Sequence, residues 1–344
     1  MGLTNVVEDS SIQFEGSTLI TSLQTEDIIK QNKELSRVDK EGYTQTHKIQ
    51  EHMEHKANLL KEKITALDQT LPQELLQFTT RARDKGAGYW LSALPLENQG
   101  FNLSKGEFRD GIKLRYNLSI SDIPTYCVCG ARFNTVHALS CKKGGFVSQR
   151  HDNIRDMFTI LLDKCCTNVQ SEPHLTDLQG ESFSNRTANT SSGARLDIKA
   201  RNFWRQGQDA YFDIRVTHVN ALSHKDLTTK TVFKNQENEK KRQYNQRVMD
   251  VEQGTFTPLI IGTNGGMGAE CDMFIKNLAD RLSIKQSEEY AKIVTWIRTK
   301  LSFEVVRSTV LCLRGSRRPW KTHSPKISDD FGLHLHEAGV TSEA

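Results

Sequence analysis

The sequence has no run of about 18 apolar residues, the length that crosses a bilayer, so neither a membrane span nor a membrane partner is expected. Its first ten residues, MGLTNVVEDS, lack the basic-then-apolar layout of a secretory signal. They begin Met-Gly, but Val6 stands where a myristoylation signal has Ser or Thr. An intracellular chain is therefore expected, and the sequons at Asn102, Asn117, Asn185 and Asn189 then carry no meaning. The seven cysteines, an odd number, do not suggest a disulfide framework. Cys165, Cys166, Cys271 and Cys312 fall in apolar helical patterns and read as buried thiols. Net charge is only +4, a weak preference for an anionic partner. No internal repeat is visible, and the glycine turn TNGGMG lacks the GxxxxGK(S/T) pattern of a nucleotide loop.

What is there suffices for about two domains plus tails: 344 residues, 36% hydrophobic and 26% charged. Residues 1–45 are polar without clear periodicity and are expected to be disordered. Residues 46–86 read as a helical segment. Within it Met53, Ala57, Leu60, Ile64 and Leu67 form a heptad-like stripe, and Pro72 separates a second helix ending near Gly86. Residues 87–126 look irregular, and 87–145 as a whole read as a linker region that holds a Cys/His cluster at 127–141. Residues 146–313 carry alternating helix and strand patterns. A clear amphipathic helix runs from Arg150 to Cys166, and strands are expected over 194–200, 210–218 and 255–262. Helices are expected near 226–252, 268–283 and 287–313. Residues 314–344 read as a basic disordered tail. Between Val305 and Lys326 there is no acid, while Arg307, Arg314, Arg317, Arg318, Lys321 and Lys326 are basic. For the last three, a solvated tail and nucleic-acid contact are equally good readings.

The cluster is C-x-C-x7-H-x3-C, formed by Cys127, Cys129, His137 and Cys141. Thiolate and imidazole ligands at this density suit tetrahedral Zn2+, and Gly130 lets the backbone turn between ligand pairs. With all four positions filled by protein the site would be closed, hence structural. The alternative is a chance cluster of buried thiols.

Asp197 in ARLDIKA and Asp213 in AYFDIRVTH each sit between apolar neighbours, so strand geometry points each acid away from the face its neighbours take. If the strands pair, two carboxylates can meet and hold Mg2+, which prefers oxygen ligands. The alternative is a solvated face on which Lys199 and Arg215 pair with these acids. Lys240 and Tyr244 are four apart on the following polar helix and share one of its faces. Glu172 follows the amphipathic helix and Asp156 lies on its polar side. Any of these four could join the site, though each alone reads first as an ordinary surface or capping residue.

Taken in order, CxC, HALSC, GGF, RHDNIRD, GARLDI, FDIRV and KKRQY, with DKGAGYWLSALPL and GEFRDGIKLRYN upstream, resemble the C-terminal region of site-selective non-LTR retrotransposon polyproteins. The resemblance covers about residues 75 to 318. It implies a zinc knuckle followed by a restriction-like endonuclease of the PD-(D/E)xK type, an α/β fold with a mixed sheet flanked by helices. In that family the endonuclease nicks target DNA and the exposed 3′ end primes reverse transcription. The resemblance gives Asp197, preceded by the basic Arg195, and Asp213 the roles of catalytic acids, and gives Lys240 and Tyr244 those of the lysine-tyrosine element. Arg215 stands where many such enzymes have lysine, and a guanidinium is no general base, so the lysine function passes to Lys240. DNA is the implied partner, with RNA of the element as a further one and a nuclear location following from the substrate. A reverse transcriptase is missing: there is no (F/Y)xDD motif, and ISDDF lacks the aromatic. The chain is expected to be a truncated remnant or a separately expressed endonuclease module. The alternative function is a catalytically decayed nucleic-acid-binding remnant.

Overall fold

A computed structural model describes residues 6–31 and 40–317. By its internal contacts the chain divides into Met1–Leu76 and Gln77–Ala344. In the first unit, helices α1 (Val6–Ile29) and α2 (Lys40–Thr70) run antiparallel. Lys56 Nζ donates to Gln13 Oε1 at 3.1 Å, and a Cβ on Gly16 would meet the His52 ring. Disorder over 1–45 is thus corrected for the described part, where α1 is helical. Composition does not reveal it because Phe14, Ile20, Ile28 and Ile29 form no stripe and stay exposed; only a narrow line through Ile12, Gly16 and Leu19 is half-buried. On α2, Met53, Leu60 and Leu67 of the heptad-like stripe are exposed.

The second unit begins within α3 (Gln73–Ala82) and continues through α4 (Tyr89–Ser92), α5 (Lys105–Arg115), α6 (Thr135–Ser140) and α7 (Phe146–Asp163). Then come β1 (Thr167–Ser171), β2 (Ile198–Arg201), β3 (Asp209–Thr217), α8 (Thr229–Asp250), β4 (Thr255–Gly262), α9 (Ala269–Gln286) and α10 (Tyr290–Arg314). The strands form one mixed sheet in the order β1-β2-β3-β4. The first two pairings are antiparallel and β3 with β4 is parallel. A parallel neighbour needs a crossover, and α8 supplies it.

Alternation along β2 and β3 decides the layers. Ile198, Ala200, Ala210, Phe212 and Ile214 enter the main core with Ile154, Phe158 and Leu162 of α7, Phe274 and Leu278 of α9, and Ile297 and Leu301 of α10. Tyr211 faces the opposite way and packs with Phe256, Val248 and Tyr244, so α8 covers that side. The mixed sheet is therefore flanked by helices on both faces.

Several expectations move. β2 begins at Ile198, later than 194, because Leu196 and Ala194 leave the ladder to pack in the α8-side cluster. β1 has no counterpart in the sequence reading: TNVQS is an edge strand with four of its five residues exposed, so it carries no apolar alternation. Residues 87–126 are not wholly irregular. Ser104 and Glu107 form a reciprocal capping box that starts α5. The basic run near the end is also reassigned. Arg307 donates to the carbonyls of Gly100 and Asn102, and Arg314 grips the buried Asp110. Arg317 lies buried against the rings of Phe133 and Phe146. Arg318, Lys321 and Lys326, with the rest of 318–344, lie outside the described residues. Among the described residues no helix is long and apolar enough to cross a membrane.

Candidate functional site

The last paired residues of β2 and β3 at this end are Ile198 and Phe212. Asp197 stands just before β2, where the regular register ends: its amide donates to the Phe212 carbonyl at 3.1 Å, and its carboxylate lies near enough to Asp213 for their charges to interact. Asp213 is buried, only 6% exposed. Lys240, reaching in from α8, sets its Nζ 2.7 Å from Asp213 Oδ2. Oδ2 is buried, and the Lys240 ammonium is the partner the structure gives it. Burial raises the Asp213 carboxyl above the usual carboxylate range; Lys240 opposes this and the charge of Asp197 adds to it.

Asp197 is held differently. The Ile214 amide donates to its Oδ2 at 2.5 Å, and His151 Nε2 of α7 lies 3.1 Å from the same oxygen. The hydrogen bond to Asp197, working against burial, lifts the His151 imidazole to about 9. His151 Nδ1 lies 3.4 Å from Asp152 Oδ1.

Glu172 follows β1 with a left-handed backbone, φ 51°, and its amide donates to the Asp197 carbonyl at 2.8 Å. Its carboxylate accepts from Arg155 at 2.6 Å and lies 3.6 Å from Arg195. Arg155 also binds Asp152 and Asp156, so Asp156 enters the network only through that guanidinium. Lys199 is drawn away from Asp197: it pairs with Asp209 at 3.0 Å and lies over the Tyr211 ring. Arg215 pairs with Glu239 at 2.8 Å. Tyr244 packs beside Phe256, below the Lys240 ammonium, and its hydroxyl accepts from Asn189 at 3.1 Å. The structure thus gathers Asp197, Asp213 and Lys240 at one end of the β2–β3 pair, with Glu172 and Arg195 beside them. It gives Lys199, Arg215 and Tyr244 other partners.

His151 and Arg155 were not singled out from the sequence. They lie four apart on the polar side of α7, within RHDNIRD, and that spacing is the signal that could have marked them.

The Cys/His group lies at the other end of α7's chain neighbourhood. Cys127, Cys129, His137 and Cys141 bring their ligand atoms within 4.8 Å of one another. A turn closed by Gly130 N to Cys127 O, with Gly130 at φ 87°, places the first two. Asn134 caps α6 by accepting from the His137 amide, which orients the second pair. Cys127 and Cys141 sulfurs are 3.8 Å apart, Cys129 and Cys141 4.0 Å, and Cys129 Sγ to His137 Nε2 3.4 Å. A tetrahedron with Zn–S of about 2.3 Å and Zn–N of about 2.05 Å has edges of roughly 3.8 and 3.5 Å. The group is compatible with a zinc site. Phe133, Ala138 and Leu313 of α10 pack around it.

No family model matches the chain, and no curated protein matches it.

Proposed function

We propose that the chain is a metal-dependent DNA endonuclease of the restriction-like type, derived from a non-LTR retrotransposon polyprotein, with a structural zinc knuckle. The observation that carries this reading is the closeness of Asp197 and Asp213 at one end of the β2–β3 pair, with Lys240 on the second. Burying a carboxylate costs free energy unless something compensates, and a fold spends that cost most readily where chemistry needs it. The mixed sheet flanked by helices agrees with the implied fold.

Mg2+ fits this donor set: Asp213 is a buried carboxylate, Asp197 has an oxygen on which no described residue forms a hydrogen bond, and Mg2+ takes few carboxylates and keeps several waters. When bound, such an ion activates water and offsets charge on the phosphodiester. Asp197 and Asp213 hold it, and Lys240 counters charge on the attacked phosphate or orients the water. Arg195, half-exposed and only loosely tied to Glu172, can contact a backbone phosphate. Arg215 is left outside the chemistry by its pairing with Glu239. Tyr244 supports Lys240 through its ring. Zn2+ on the four knuckle ligands staples the turn at 127–130 to α6 and the residue that follows it. DNA is the substrate, RNA of the element a second partner, and the nucleus the site of action.

The test is cleavage of supercoiled plasmid by purified protein with Mg2+ and with EDTA, beside Asp213→Ala. Mg2+-dependent nicking that disappears in the variant is the expected result. Absence of cleavage alongside DNA binding that weakens steeply with salt would favour the decayed binding remnant. Absence of both would leave neither reading standing.

A further inference from the structure

We propose that His151 is the positioning residue for Asp197, deciding which carboxylate oxygen faces a cation; the inference rests on the nuclease reading above. Two donors converge on Oδ2: the Ile214 amide at 2.5 Å and His151 Nε2 at 3.1 Å. The same Nε2 lies 3.2 Å from the Ile214 carbonyl. The imidazole therefore closes a small ring with the carboxylate and the main chain of β3. Its far side is held by Asp152 at Nδ1, and its backbone by the buried Arg150 and Ile154 on either side in α7.

A lone amide fixes where Oδ2 sits but leaves rotation about the carboxylate bond, which is soft in aspartate. A second donor from a different direction removes that freedom. With Oδ2 fully engaged, Oδ1 is the oxygen left for a cation. Outer residues that orient a metal-binding carboxylate typically matter by about 10- to 100-fold in metal affinity or activity when removed. His151 does this without touching substrate.

The experiment uses the full chain, as wild type, His151→Ala, His151→Gln and Asp213→Ala. Binding of Mn2+ is followed directly by electron paramagnetic resonance, and plasmid nicking is measured across Mg2+ concentration. His151→Ala should weaken Mn2+ binding and raise the half-saturating Mg2+ about tenfold or more, with the rate at saturating Mg2+ within a few-fold of wild type. Glutamine, whose amide nitrogen reaches the position of Nε2, should restore most of the loss. The proposal is overturned if wild type nicks with Mg2+ and His151→Ala keeps the same metal dependence. It is equally overturned if glutamine is as poor as alanine, since the imidazole would then act as something other than a donor. A wild-type chain that neither nicks nor binds Mn2+ differently from Asp213→Ala overturns the nuclease reading itself, a result distinct from the other two. Thermal melting of His151→Ala separates loss of fold from loss of metal, and the glutamine variant decides the matter if alanine does not fold.

Discussion

Replacing Lys240 by methionine isolates the cost of keeping Asp213 charged inside the protein. The two groups are 2.7 Å apart, with side chains 19% and 9% exposed. Removing one partner of a buried pair costs about 3–5 kcal/mol, because the other charge is left without compensation. Lys240 is partly solvated, which favours the lower end, about 3 kcal/mol. For a unit of this size each kcal/mol moves the melting temperature by about 2–4 °C, so Lys240→Met should melt roughly 6–12 °C below wild type. The measurement is calorimetric or circular-dichroism melting in EDTA, so that no divalent cation replaces the ammonium. Asp213→Asn alone should cost less than Lys240→Met, since the ammonium it leaves unpaired is the more solvated of the two. The double variant should recover most of what Lys240→Met loses. A loss below about 1 kcal/mol would refute the reasoning. So would a double variant as unstable as Lys240→Met, which would assign the loss to packing of the lysine stem.

Zinc content offers a second check: the wild-type chain should carry about one Zn2+, Cys141→Ser should lose it and melt earlier, and Cys271→Ser should retain it because that thiol is buried in the main core. A third concerns pH. Burial, with Arg150, His224 and Arg81 nearby, holds His218 down to about 4. The unfolded chain takes up this proton near 6.5 and the folded chain only near 4, so the contribution is whole above 6.5 and is lost as pH falls through 4. Discounted for partial solvent screening it is about 2 kcal/mol, and His218→Gln should flatten the acid limb of a stability–pH curve by that amount. Fourth, Arg247 is fully buried and donates to the carbonyls of Asn189, Ser191 and Thr176. Arg247→Met should free the loop before β2 and bring proteolytic cutting between 177 and 193 at protease levels that leave wild type intact.

The parts of the fold that bury a stripe were legible in the sequence. The α7 helix announces itself through Ile154, Phe158, Leu161 and Leu162, and β4 through its unbroken apolar run. The parts stabilised by neighbours were not. Edge strand β1 shows no alternation because most of its side chains face solvent. The arginines near the end of α10 look like a tail in the sequence, yet Arg314 and Arg317 are consumed by Asp110 and by two aromatic rings. A charge run carries no mark of which charges will find a partner elsewhere in the chain.

The candidate site divides along the same line. Asp197 and Asp213 were visible because an acid between apolar strand residues is locally costly, and such a cost shows in one dimension. Their closeness needed only that the strands pair. Lys240 was marked by the resemblance of KKRQY, but its choice of Asp213, and Arg215's choice of Glu239, depend on how far α8 is rotated over the sheet. His151 is the extreme case. It meets Asp197 across 46 residues and from a helix on the main-core side of the sheet, so no local pattern contains the contact. Residues that bear a cost announce themselves in sequence; residues that steer them are fixed only when the sheet and its helices are assembled. That is why metal affinity in the His151 variants, more than loss of nicking in the aspartate variants, tests whether this packing was built for a cation.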